Sequence, residues 1–281
     1  MTSLNNLSTK QSFDLVKAII GSSLKLEIDD SIYKIFIDMN SVFSIVFRTE
    51  NVDCEENIYV ASDFIEDIIN KALEKKIEIT FLFTVNNSIY HTNIYPDWCF
   101  DRSDRVNFNK SKFYKKLLLE LKKYSNENNL IKVVNCKTFH PIAFIYDEAS
   151  ILKKDILIIT RDKLFQCLDL RNVVIFDGKN YTFIRDKYRK LPDNIILDNP
   201  SKYLKYYFIL NGDKIRTGYS GLKTYGKEKS IQYINKYRTE LDMNLEHPLK
   251  EFIDTYIGLY DINKIYENYL EFKNKEKIGE Y

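Results

Sequence analysis

The chain has 281 residues, of which 44% are hydrophobic. That is enough to bury one large core or two small ones. Its 42 basic and 40 acidic residues nearly cancel, so net charge implies no partner and any charged surface has to be local. No apolar run approaches the ~20 residues of a membrane span, and the polar start MTSLNNLSTKQS is no signal peptide. Membrane association is therefore not expected. Cys54, Cys99, Cys136 and Cys167 are irregularly spaced and form no CxxC pair. They read as reduced, buried thiols in a cytoplasmic protein. The richness in Asn, Lys, Ile and Tyr is the mark of an AT-rich genome.

Residues 1–30 form an extension with one short amphipathic segment, in which Phe13, Val16, Ile19 and Ile20 fall at helical spacing. Strand-like runs and helical patterns then alternate. The runs Ile32–Asp38, Ile79–Phe83, Ile131–Val134, Asp155–Thr160 and Val173–Phe176 are almost entirely apolar. Strands buried on both faces of a parallel sheet have this composition. Between the first two lies a helix capped by Ser62, with Phe64, Ile65, Ile68, Ile69, Ala72 and Leu73 on one side. Between the second and third, Phe113, Leu117, Leu118 and Leu121 stripe a lysine-rich helix. The alternation predicts right-handed crossovers and an α/β fold, a mostly parallel central sheet flanked by helices. After Pro192 the pattern turns helical. The expected organisation is an extension (1–30), an α/β core (31–190) and a helical region (191–281) packed on the core.

Four segments carry motifs. The first strand runs into Asp38-Met39-Asn40-Ser41. Tyr95-Pro96-Asp97-Trp98-Cys99-Phe100-Asp101-Arg102 follows the second strand. The fourth strand leads into Thr160-Arg161-Asp162-Lys163. Leu210-Asn211-Gly212-Asp213 precedes Gly221-Leu222-Lys223-Thr224-Tyr225-Gly226-Lys227-Glu228-Lys229-Ser230. In this order and spacing they resemble the flap endonuclease / 5′–3′ exonuclease family, which shares its core with PIN-type nucleases. The resemblance implies a metal-dependent nuclease core, a basic arch over residues 102–124, and a helix–three-turn–helix that grips duplex DNA. It also implies that Asp38, Asp162 and Asp213 converge at the C-terminal ends of neighbouring parallel strands.

Phosphodiester hydrolysis of this type uses two divalent ions ~4 Å apart, held by several carboxylates. Only Asp38, Asp162 and Asp213 survive here as implied metal ligands. Thr84 stands where an Asp would follow the second strand, and Thr138-Phe139-His140-Pro141 replaces an acidic turn. Leu164 and Arg216 occupy two more acidic positions. Three carboxylates suffice for one Mg²⁺ or Mn²⁺ at most, and the charge of Arg216 opposes a second. At ~4 Å and an effective dielectric of about 20, each unit of like charge costs roughly 4 kcal/mol. The expectation is an eroded, catalytically silent site, with an active Mg²⁺- or Mn²⁺-dependent 5′ nuclease on branched or duplex DNA and a pure interaction subunit as rivals. The three aspartates also suit plain strand-end or helix-cap roles. His140 reads as structural, because His91 and His247 fall at unrelated spacings.

Local charge supplies the nucleic-acid case. From Lys202 to Arg238 nine basic residues stand against Asp213 and Glu228, and from Arg102 to Lys123 eight stand against Asp104 and Glu120. Candidate DNA contacts are Arg102, Arg105, Lys112, Lys115 and Lys116 in the arch, with Arg216, Gly221, Lys223, Gly226, Lys227 and Lys229 in the helical motif. Gly221 and Gly226 would let backbone approach a phosphate, and Tyr219 and Tyr225 suit either base stacking or core. Duplex or branched DNA is the expected partner, in a viral replication, repair or transcription complex. Basic runs on helices are commonly only solvated faces.

Overall fold

A computed structural model describes residues 32–41, 72–84, 89–98, 112–136, 139–152, 154–160, 162–170, 173–177, 182–185 and 200–278, with isolated helical positions between 62 and 70. Arg102, Arg105 and the amphipathic stretch around Phe13 lie outside the described residues. No described helix is long and apolar enough to cross a membrane.

Six strands form one sheet: β1 (Ile32–Asp38), β2 (Glu78–Thr84), β3 (Ile131–Cys136), β4 (Asp155–Thr160), β5 (Val173–Asp177) and β6 (Thr182–Arg185). Their spatial order is β3-β2-β1-β4-β5-β6. The first five run parallel, and β6 pairs antiparallel with β5. The five parallel strands are those expected from the apolar runs. The short strand β6 carries no such run and was not anticipated. It needs only edge pairing, which leaves little hydrophobic signature.

Strand interiors alternate between two apolar layers. Phe36, Leu82, Ile156 and Ile158 belong to a core shared with the C-terminal helices. On the opposite side, Phe83 meets Tyr114 edge to face at 5.2 Å. The helices in chain order are α1 (Ile89–Ile94), α2 (Lys112–Glu127), α3 (Pro141–Ile151), α4 (Pro200–Asn211), α5 (Lys214–Thr217), α6 (Lys227–Lys236), α7 (Arg238–Met243), α8 (Lys250–Tyr256) and α9 (Ile262–Ile278). Helix α2 buries Phe113, Tyr114, Leu117 and Leu121; Leu118 of the predicted stripe is only half-buried, and Tyr114 takes its place in the core. On the helix preceding β2, Ile65, Ile69 and Ala72 of the expected face are buried and Leu73 is half-buried, while Phe64 and Ile68 lie outside the described residues.

At the N-terminal end of the sheet lies a charged cluster that hydrophobic patterning passes over. Lys34 is 3% exposed on β1 and pairs with Glu148 of α3 and with Glu78 of β2 at 2.5 Å. Lys132 on β3 reaches the same Glu78 at 2.9 Å. A buried ammonium is tolerated only when paired in this way.

Candidate functional site

Strand order reverses between β1 and β4, which run parallel: the sheet grows from β1 through β2 to β3 on one side, and from β4 to β5 on the other. In open α/β sheets ligand sites form at such a switch point, outside the carboxyl ends of the strands. Asp38 ends β1 and Asp162 lies just beyond β4, so both emerge there.

Their side chains are already occupied by the protein. Asp38 Oδ2 accepts from the Ser41 hydroxyl at 2.5 Å and from Thr160 Oγ1 at 3.0 Å. Asp162 Oδ1 caps the 3-10 helix Lys163–Cys167 by accepting from the Leu164 amide at 2.9 Å. Its other oxygen lies 3.0 Å from His140 Nε2. His140 Nδ1 accepts the Ile142 amide at 3.1 Å as the N-cap of α3. That bond fixes the tautomer, with the proton on Nε2 donated to Asp162. Thr160 joins the halves, because its hydroxyl oxygen also accepts from the Asp162 amide at 3.0 Å.

Asp38, Ser41, His140 and Asp162, with Asn40, Thr84, Pro141 and Phe165, line a cavity of about 20 Å³. It holds about one water-sized group. Asn40 donates to the Thr84 carbonyl at 3.3 Å, and its buried Oδ1 has no hydrogen-bond partner among the described residues. Burial, reinforced by the nearby Asp162 carboxylate, pushes Asp38 up to about 6 against the opposing pull of Ser41 and Thr160.

Asp213 arrives differently. It sits between α4 and α5, in the helical region and not at a strand end as the resemblance implied, and its carboxylate lies 3.6 Å from Lys163 Nζ. It does not line the cavity shared by Asp38 and Asp162. Among the described residues no three His, Cys, Asp or Glu side chains form a group able to hold a metal ion. A two-metal centre requires several converging carboxylates, and the described donors do not fit one.

His140 and His91 do not fall in unrelated places. Their rings are 5.5 Å apart, and His91 stacks on Trp98 at 4.8 Å. A separation of 49 positions says nothing about contact once α1 folds beside α3. Burial holds His91 well below the usual histidine range. It is thus neutral, with Nε2 3.2 Å from the Leu259 carbonyl. Sequence reasoning also missed the roles of Ser41 and Thr160. Their one signal was a hydroxyl in place of an apolar residue at the end of a buried strand.

In the glycine motif, Gly212 and Gly221 have φ of +76° and +68° and face each other backbone to backbone. A Cβ on Gly221 would lie 2.4 Å from the Gly212 nitrogen. The room Gly221 makes is therefore filled by its own chain. Bonds from Asp213 N to Tyr219 O at 2.9 Å and from Leu222 N to Leu210 O at 2.8 Å fasten this crossing. Tyr219 is core, 2% exposed, with its hydroxyl on the Ile209 carbonyl. Tyr225 is half-buried against Tyr233. Gly226 precedes α6 with nothing within 4 Å of where a Cβ would stand.

Of the candidate contacts, Lys112, Lys115, Lys116, Lys223 and Lys229 are exposed and Lys227 is half-buried. The side chain of Arg216 lies outside the described residues. The excess counted from Lys202 to Arg238 is partly spent internally. Lys202 pairs with Asp242 at 2.9 Å and Lys205 with Asp261 at 2.6 Å, both acids lying beyond that window. Arg238 donates to the Tyr203 hydroxyl at 3.0 Å.

No protein-family model matches the sequence, and no curated protein matches it. Solved structures do resemble the fold. A lysine-to-alanine variant of the T5 5′-exonuclease superposes with a TM-score of 0.59 at 15% identity, covering 85% of this chain and 98% of that one. The bacteriophage T5 flap endonuclease, in a pseudo-enzyme–product complex with DNA and metal ions, gives 0.58 at 14% identity over the same shares. The T5 5′-exonuclease with bound zinc gives 0.55 at 14% identity, again over 85% and 98%. At such identities the likeness establishes architecture alone: the chain has an α/β fold of the flap-nuclease kind, with C-terminal helices packed on its sheet.

Proposed function

We propose that this protein binds duplex or branched DNA without cutting it, using a flap-nuclease fold whose acidic site has closed on itself. The observation that carries the reading is the internal satisfaction of that site. Asp38 is held by two hydroxyls, Asp162 by an imidazole and an amide, and Asp213 faces a lysine. His140 stands where the resemblance implies an acidic turn, so a donor replaces ligands. No described carboxylate cluster is left to hold two divalent ions.

Exposed lysines border the same end of the sheet. Helix α2 begins where the chain has left the carboxyl end of β2 and returns to start β3, so Lys112, Lys115 and Lys116 lie towards the rim. The Lys163–Asp213 contact brings the glycine crossing to that rim as well. Beyond the crossing stand exposed Lys223 and Lys229, with Gly226 opening α6 to solvent. Amides at a helix start, with lysines beside them, favour phosphate. The AT-rich composition and the likeness to phage structures support a setting in a viral replication, repair or transcription complex.

Each lysine that neutralises a phosphate releases condensed counterions and contributes about −0.9 to the log–log slope of affinity against salt. Replacing Lys223, Lys227 and Lys229 together by glutamine is expected to flatten that slope by about three units and weaken binding to all sequences alike. Folding should change little at Lys223 and Lys229, since exposed substitutions alter stability by only ~0.5 kcal/mol, and the denaturation midpoint checks the half-buried Lys227. Fluorescence anisotropy at several salt concentrations reads both quantities. An unchanged slope would remove this motif from the interface.

A further inference from the structure

A cavity of about 440 Å³ lies on the sheet face opposite the C-terminal helices, between α2 and the helix that precedes β2. The sheet steps from β1 to β2 to β3, and the right-handed crossovers that parallel strands follow put the connecting helices on one face. The floor is apolar, formed by Ile65, Ile69, Leu117 and Leu121. Around it, among the described residues, stand Glu66, Glu120 and Glu127 against Lys123. Glu120 is 3.8 Å from Lys116 on its outer side, which leaves Glu66 and Glu127 as the more available acids. The volume falls in the range that takes a bound group, roughly 300–1,000 Å³. This groove serves neither the acidic site nor the glycine motif.

The sequence contains a segment with the complementary pattern and no other assigned role. Phe13, Val16 and Ile20 recur at helical spacing, Gly21 supplies a stop, and Lys10 and Lys17 outnumber Asp14 across the same stretch. Its apolar stripe matches the floor and its net positive charge matches the acidic rim. Reach is sufficient. From Ile20 to the start of β1 at Ile32 there are twelve residues, which span up to ~40 Å when extended. We propose that residues 10–20 dock in this groove within the same chain, with Phe13, Val16 and Ile20 on the apolar floor and Lys10 and Lys17 towards Glu66 and Glu127.

Hydrogen exchange on the full chain tests this. Docking predicts protected amides in residues 13–20, and Val16→Asp with Ile20→Asp should raise their exchange rate at least ~tenfold per displaced side chain. The same double variant should speed exchange in residues 117–124, which line the groove. Charge reversal separates this occupant from others. Glu66→Lys with Glu127→Lys should loosen the segment by roughly two- to fivefold per ion pair lost, the range of exposed pairs. Adding Lys10→Glu and Lys17→Glu should restore protection. Three results overturn the proposal: unprotected amides in 13–20 of the unmodified chain, no rescue by the reciprocal reversal, or protection that appears only with concentration-dependent dimers in light scattering. The last would assign the groove to a second copy of the chain.

Discussion

Asp38→Asn is expected to make the protein more stable at pH 7. The carboxyl of Asp38 is pushed from an ordinary 3.8 to about 6, chiefly by burial. A carboxyl raised on folding contributes stability that is complete below the unfolded value and lost as pH rises through the folded one. Here the loss runs from about pH 4 to about pH 6. A shift of about two units corresponds to about 3 kcal/mol at neutral pH. Asparagine offers the same acceptor to Ser41 and Thr160 and never ionises. Urea denaturation of both proteins from pH 3 to pH 8 isolates the effect, since carboxylates remote from Asp38 cancel in the difference and only its neighbour Asp162 is coupled to it. The two should agree below pH 4, diverge up to pH 6 and keep a constant gap above it. A less stable variant at pH 7 would mean that the charge on Asp38 is held by something worth more than its burial costs.

The second large effect concerns the glycine crossing. Gly221→Ala places a methyl group 2.4–2.6 Å from the backbone of Leu210, Asn211 and Gly212. It also forces an L-residue to φ of +68°. The left-handed conformation costs about 1–2 kcal/mol, and overpacking against backbone typically adds 1–3 kcal/mol. A loss of about 2–5 kcal/mol is expected from chemical denaturation. DNA affinity should fall with it, because the crossing sets where Lys223 stands. Gly226→Ala is the control. Nothing lies within 4 Å of the added carbon, so the change should stay within ~0.5 kcal/mol.

Much of the architecture is legible because parallel strands buried on both faces must be apolar throughout. Ile32–Asp38 and Asp155–Thr160 announce themselves in that way, and their order gives the crossovers. Thr182–Arg185 stays hidden because an antiparallel edge strand needs no such run. The acidic site is half legible. The positions of Asp38 and Asp162 at strand ends follow from the apolar runs that precede them. What those carboxylates touch does not follow, because it depends on contacts between distant positions. Ser41 meets Thr160 at 3.2 Å across 119 positions. His140 reads as structural from its isolation in sequence, and it is structural as the N-cap of α3. Yet the same ring also bonds Asp162, because the α3 start and the end of β4 meet at the switch point. Charge counting was misleading in the helical region for the same reason. Asp242 and Asp261 are remote in the chain from Lys202 and Lys205 but adjacent in space.

Binding and cutting of a 5′-flap duplex by the unmodified protein test the account most directly. The account predicts a complex that forms in EDTA, weakens steeply as salt rises, and leaves the DNA intact when Mg²⁺ or Mn²⁺ is added. Efficient cleavage with either ion, abolished by Asp38→Ala, would contradict it. It would show that the carboxylates exchange their internal donors for metal during the reaction.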